Sequence, residues 1–179
     1  MNRYIAFLRA INVGGHTVKM DHLRTLFEAL RFSNVATFIA SGNVIFDTKS
    51  ADTRALEDKI ERHLKKALGY DVATFIRSVP EVVAAAEYQP FGPDATRDNG
   101  YSMFVVFIRE APSVAGQRKL NGLRTEVDEV HVNGREIYWG IRGGFSDSKL
   151  SGALLEKTAS LPGTARNITT VRKLAAKYG

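Results

Sequence analysis

The stretch NVATFIASGNVIFDT, residues 34–48, decides how the first half of this chain folds. Two apolar runs, 34–40 and 43–48, flank Ser41-Gly42, a short turn signal, so the stretch predicts a β-hairpin. Before it, Met20, Leu23, Leu26, Phe27 and Leu30 recur at helical spacing. Earlier still, YIAFLRAI (4–11) is apolar on both faces, as in a central or covered strand. After it, Leu56, Ile60, Leu64 and Leu68 mark a second helix, and VATFIRS (72–78) reads as a closing strand. Strand, helix, strand, strand, helix, strand is the ferredoxin-like split arrangement, with two helices on one face of an antiparallel sheet, and it is expected over residues 1–79.

Residues 80–179 predict a second α+β lobe on a smaller antiparallel sheet, the two lobes packing as one compact unit. Pro80 opens a short helix through Ala86, and YQPFGPDATRDNG (88–100) is rich enough in Pro, Gly and Asp for a linker or long loop. YSMFVVFIR (101–109) is a strong buried strand. A helix follows over 113–123, then two strands around Asn133-Gly134, the best hairpin signal in the chain. Two helices, near 149–158 and 167–178, complete the expectation.

The chain has 179 residues, 44% of them hydrophobic, enough to bury a substantial core. With no cysteine, disulfides, thiolate nucleophiles and Cys-ligated metal sites are excluded. No segment reads as a membrane span or a cleaved leader, so the chain is expected to be soluble and cytoplasmic, with no membrane partner. Net charge is +6, and its distribution is uneven: residues 148–179 hold six basic and one acidic side chain. A basic pole of this kind is the electrostatic footprint of a polyanion partner, and equally the solvated face of an ordinary helix.

In LRAINVGGHTVKM (8–20) a strand runs through Gly14-Gly15 toward a helix, where a phosphate would meet backbone N–H groups. Neither the P-loop nor the dinucleotide spacing is present, and two glycines also serve a tight turn with positive φ. Arg9, Asn12 and Lys19 keep the ligand reading open, because a lysine at a helix start opposes the helix dipole unless something negative sits there. A similar corner follows the strand IYWGI: Arg142, Gly143 and Gly144 lead to FSDSKL, expected to open a helix at Lys149 with Ser146, Asp147 and Ser148 as cap candidates. Ser146 to Lys149 also spells S-x-x-K, which means little without companion motifs.

In TARNITTVRKLAAKYG (164–179) Asn167 is a cap candidate; Ile168, Val171, Ala175 and Tyr178 form an inward stripe, and Arg166, Thr170, Lys173 and Lys177 an outward one. A helix terminus contributes only about 0.3–1 kcal/mol to holding an anion. Millimolar binding needs about 4 kcal/mol, so two or three basic residues such as Arg9, Lys19, Arg77 and Arg166 would have to converge. His16, His22, His63 and His131 show no metal-ligand spacing, and neither a metal nor a cofactor is expected. The acidic group Glu126, Asp128 and Glu129 borders a hairpin and is expected to face solvent. GYSMFVVF (100–107) resembles the aromatic strand of an RNA recognition motif, but its register puts Phe104 and Phe107 on opposite faces, which excludes that mode.

Arg9-Ala10-Ile11-Asn12-Val13-Gly14-Gly15, Met20 and Leu23, VATFIASGNVIF (35–46), and the tail Thr164-Ala165-Arg166-Asn167 with Thr170, Val171, Lys173 and Leu174 together resemble the bacterial family catalogued as domain of unknown function 1697. The resemblance implies a two-lobed α+β fold and no activity. Where the family usually has Gly, Tyr, Gln and often Trp, this chain has Ala10, Phe38, Ala40 and Ile168; the family's polar positions Arg9, Asn12, Ser41, Asn43, Arg166 and Asn167 are kept. The candidate ligand set is thus Arg9, Asn12, Gly14, Gly15, Lys19, Ser41, Asn43, Arg77, Lys149, Arg166, Asn167 and Lys173, forming one polar site between the lobes if the two motifs meet. Three functions fit: a module binding a phosphate-bearing ligand or nucleic-acid backbone, a small-molecule enzyme with Ser41 or Lys149 as reactive group, or an interaction protein with no small ligand. Oligomeric state and catalytic residues are left open.

Overall fold

The computed structural model describes residues 1–40 and 42–179. Ser41, the candidate at the first hairpin, lies outside the described residues. The chain divides into two compact units, Met1–Val82 with Tyr178–Gly179, and Val83–Lys177.

The first unit follows β1 (Asn2–Leu8), α1 (Met20–Glu28), β2 (Ser33–Thr37), β3 (Asn43–Thr48), α2 (Thr53–Leu68) and β4 (Thr74–Ser78), leading into α3 (Val79–Glu87). Its antiparallel sheet has the order β2-β3-β1-β4, the split arrangement expected from the hairpin and its flanking helices. Alternate β1 residues Tyr4, Ala6 and Leu8 join Leu23, Phe27, Leu56, Ile60 and Leu64 of α1 and α2 in one core. β2 is shorter than the apolar run 34–40, because Ile39 takes a left-handed φ of +60° and ends the extended backbone. Asn34 is also left-handed, at φ +50°, and its amide donates to Asp47 Oδ2 at 2.8 Å where the β2–β3 register shifts.

β4 is an edge strand, and α2 covers that edge with carboxylates. Glu61 accepts from the Thr74 N–H at 2.8 Å and Glu57 from the Ile76 N–H at 2.9 Å. The spacing explains the match: four residues of helix rise about 6 Å, close to the about 6.8 Å spanned by two residues of strand. Two of the edge N–H donors are thus satisfied within the chain.

The second unit repeats the same path with β5 (Tyr101–Ile108), α4 (Val114–Asn121), β6 (Asp128–Asn133), β7 (Glu136–Arg142), α5 (Gly152–Ala159), β8 (Gly163–Asn167) and α6 (Ile168–Tyr178). Its sheet order, β6-β7-β5-β8, copies the first, so the expectation of a smaller second sheet is corrected: both sheets have four strands. The register repeats too: Ile5 faces Arg77 on β4, and Val105 faces Arg166 on β8. The hairpin turns at Gly134 and Arg135, with Asn133 and Glu136 paired on either side. Glu156 on α5 accepts from the Gly163 N–H at 2.7 Å, repeating the edge cover of the first unit.

β8 is the strand that the sequence hides. GTARN contains one apolar side chain, Ala165, and no alternation marks it. It pairs because Gly163 lets the backbone approach β5, where a Cβ would lie 2.8 Å from Val106 Cγ1 and 3.0 Å from the Phe107 carbonyl. The helix expected at Lys149 is also corrected. Phe145–Asp147 form a single 3-10 turn, and α5 starts at Gly152 behind a Ser151 cap whose hydroxyl accepts from Leu154 N–H at 3.1 Å. The Ser148 hydroxyl and the Lys149 N–H instead donate to Asp128.

Candidate functional site

The sequence candidates fall into both units. In the first, Asn12 uses both ends of its amide to tie the glycine loop: Nδ2 donates to the Ala40 carbonyl at 2.9 Å and Oδ1 accepts from the Val18 N–H at 2.7 Å. Gly14 and Gly15 stand at φ +64° and +82° in the loop so tied, with open space beside both. Lys19 caps α1 with its backbone and makes no side-chain cap bond, while the Arg9 N–H donates to the Ala73 carbonyl at 2.9 Å. Asn43 is fully buried, and its amide donates to the Phe38 carbonyl at 2.9 Å. Arg77 is fully buried on β4, with Nη1 donating to the Ile76 carbonyl.

In the second unit Lys149 is exposed and Lys173 lies on the exposed side of α6. Arg166, expected on the outward stripe, is instead buried on β8, its Nη1 donating to Thr164 Oγ1 at 2.8 Å and to the Ala165 carbonyl at 2.9 Å. The reason is that the last helix begins two residues later than the stripe assumes, and a strand obeys a two-residue period. Burial pulls the Arg166 guanidinium down to about 10. Asn167 caps α6 as expected, Oδ1 accepting from the Thr169 N–H at 2.8 Å. Asp128, expected in solvent, has no exposed surface.

Next to Asn167 the second unit opens a cavity of about 340 Å³. Because Phe104 pairs with Asn167, the start of β5 runs past the first turn of α6, bringing Tyr101, Ser102 and Met103 opposite Ile168 and Thr169. Arg97, from a 3-10 turn at Arg97–Asn99, and Arg172, one turn into α6, complete the walls. Arg172 Nε donates to the Ala86 carbonyl at 3.5 Å. Among the described residues neither arginine forms an ion pair with a carboxylate. Two guanidinium groups and the positive end of an 11-residue helix therefore share one concave surface.

Sequence reasoning named Asn167 here and missed Arg97 and Arg172. A usable signal was present in residues 88–100, a 13-residue stretch with one 3-10 turn, because loops of that length in a compact domain are often functional. Among the described residues no group of three or more His, Asp or Glu side chains could hold a metal ion, and no helix is long and apolar enough to cross a membrane.

Comparison with known proteins adds the fold and no activity. The family model described as a protein of unknown function, DUF1697, matches residues 1–138. No curated protein matches. A solved structure of a conserved bacterial protein from Streptococcus pneumoniae is similar at 24% identity and a TM-score of 0.77, over 99% of this chain and 98% of the other.

Proposed function

The chain belongs to the DUF1697 family, whose description assigns no activity, and from the geometry of the second unit we propose that it binds a phosphate-bearing small ligand at Arg97 and Arg172. The observation that supports this reading is the pair of arginines, neither in an ion pair with a carboxylate among the described residues, in one cavity at the start of α6. Magnitudes fit the assignment. Two charge-assisted hydrogen bonds contribute about 1.5–3 kcal/mol each, and the helix terminus adds about 0.3–1 kcal/mol. Together they span the about 4 kcal/mol of millimolar binding, which the helix terminus does not reach alone.

A panel of thermal-shift titrations tests the reading, running from inorganic phosphate through mononucleotides to short single-stranded RNA and DNA at two salt concentrations. Phosphate esters are expected to raise the melting temperature of the wild-type chain, and Arg97→Ala with Arg172→Ala to abolish the rise. A rise that persists in the double variant overturns the site. Binding only to the polynucleotides, with affinity falling steeply as salt increases, replaces the small ligand by a nucleic-acid backbone.

A further inference from the structure

The cavity that holds Arg97 and Arg172 has a neighbour across Tyr101. Tyr101 and Ala95 are also walls of a second cavity of about 310 Å³, whose other walls include Phe91, Asp94, Asn99, Glu129 and Arg142. The character of the surface changes across Tyr101. On one side are two arginines; on the other are two carboxylates and one arginine beside an aromatic surface.

Glu129 is the best-placed of these groups. It accepts the Tyr101 hydroxyl on Oε2 at 2.7 Å and Arg124 Nη2 on Oε1 at 2.9 Å, so its carboxylate is held in one orientation. Each carboxylate oxygen retains a second lone pair able to accept from a ligand. Phe91 and Tyr101, with ring centroids 5.9 Å apart, add an apolar flank, and Arg142 supplies a donor. A second anionic group would be repelled by Asp94 and Glu129, whereas hydroxyl groups would donate to them and accept from Arg142. This is the chemistry by which a carboxylate takes the hydroxyls of a ribose.

Resting on the phosphate reading above, we infer that the ligand is a phosphate monoester of a polyhydroxylated group, with its phosphate at Arg97 and Arg172 and its sugar hydroxyls at Glu129. A free sugar phosphate and a nucleotide share this chemistry. Isothermal titration of the full chain with inorganic phosphate, ribose 5-phosphate, 2-deoxyribose 5-phosphate and adenosine 5′-monophosphate separates the possibilities.

Ribose 5-phosphate is expected to bind at least tenfold more tightly than inorganic phosphate, to lose affinity without its 2-hydroxyl, and to lose most of the tenfold in Glu129→Gln while inorganic phosphate binds that variant unchanged. Further tightening by the adenine base assigns the site to nucleotides; equal affinity assigns it to sugar phosphates. Equal binding of inorganic phosphate and ribose 5-phosphate, lost together in the Arg97→Ala and Arg172→Ala variant, overturns the sugar inference and keeps the phosphate site. No binding of any probe overturns both. If Glu129→Gln does not fold, Asp94→Asn, on the exposed side of the same cavity, supplies the variant arm, and the four wild-type titrations decide the inference without either.

Discussion

The Tyr101 side chain occupies the space that a side chain at Gly140 would need. A Cβ at Gly140 would lie 2.7 Å from Tyr101 Cζ and 2.8 Å from Phe91 Cε2, both parts of rigid rings. The phenol can cross β7 and reach Glu129 on β6 only because position 140, paired with Met103 on β5 and Glu129 on β6, is bare backbone. Burial, with the carboxylate beside it, pushes the Tyr101 hydroxyl well above its ordinary range and keeps it protonated as the donor in that bond.

Gly140→Ala is therefore expected to destabilise the chain by about 1–3 kcal/mol, read as a lower urea midpoint at unchanged slope. In a Tyr101→Ala background the same change should have a smaller effect, since one of the two clashing rings is gone and only Phe91 remains. Strict additivity of the two substitutions would show that the contact is unimportant.

Asp128 collects four donors: Trp139 Nε1 at 3.1 Å, the Lys149 N–H at 3.0 Å, Thr125 Oγ1 at 2.8 Å and the Ser148 hydroxyl. Burial alone would raise its carboxyl, but the hydrogen bonds from Ser148, Lys149, Trp139 and Thr125 outweigh it and hold the group below its ordinary value. A depressed folded value stabilises the native state at pH above the unfolded carboxyl value of about 4 and loses that stabilisation as pH falls through the folded value. Asp128→Asn is expected to cost about 1.5–3 kcal/mol at neutral pH. Its gap from wild type should narrow below about pH 4 in urea titrations repeated across pH. A gap independent of pH would assign the loss to packing.

The carboxylate cover on β4 makes a local prediction. Glu57→Ala removes the acceptor of the Ile76 N–H and is expected to cost about 1–3 kcal/mol. Hydrogen exchange at Ile76 should accelerate more than at Ile5, which lies inside the ladder. Uniform acceleration along both strands would mean only global destabilisation.

Asn12 separates loop architecture from ligand binding. Both ends of its amide hold the glycine loop, so Asn12→Ala should lower stability by about 0.5–1.5 kcal/mol for each hydrogen bond lost. The phosphate response should remain at the wild-type level at Arg97 and Arg172. Loss of that response in the folded variant would return the ligand to the glycine loop.

What was legible before folding follows from periodicity. The residues 34–48 hairpin and the helical spacings around it determined the first sheet and its two helices, because each apolar face is written in consecutive residues. The Asn133-Gly134 signal likewise marked the β6–β7 turn, and Asn167 was recognisable as a cap from its position before an apolar stripe. In the candidate site, Asn167 was the only residue legible in this way; Arg97 and Arg172 carry no local pattern that distinguishes them from other surface arginines.

Only the tertiary structure decided the rest. GTARN became β8 because Gly163 admits the β5 backbone, and this pairing turned Arg166 from an outward helix position into a buried strand position. The same pairing set Tyr101 beside the start of α6, where Tyr101 and Ala95 are walls of both cavities. The sequence by itself determined which segments become helices and strands wherever their apolar period is unbroken. Strand pairing joins residues far apart in the chain, so the burial of Arg166, the removal of Asp128 from solvent and the meeting of Arg97 with Arg172 depend on contacts that no local pattern encodes.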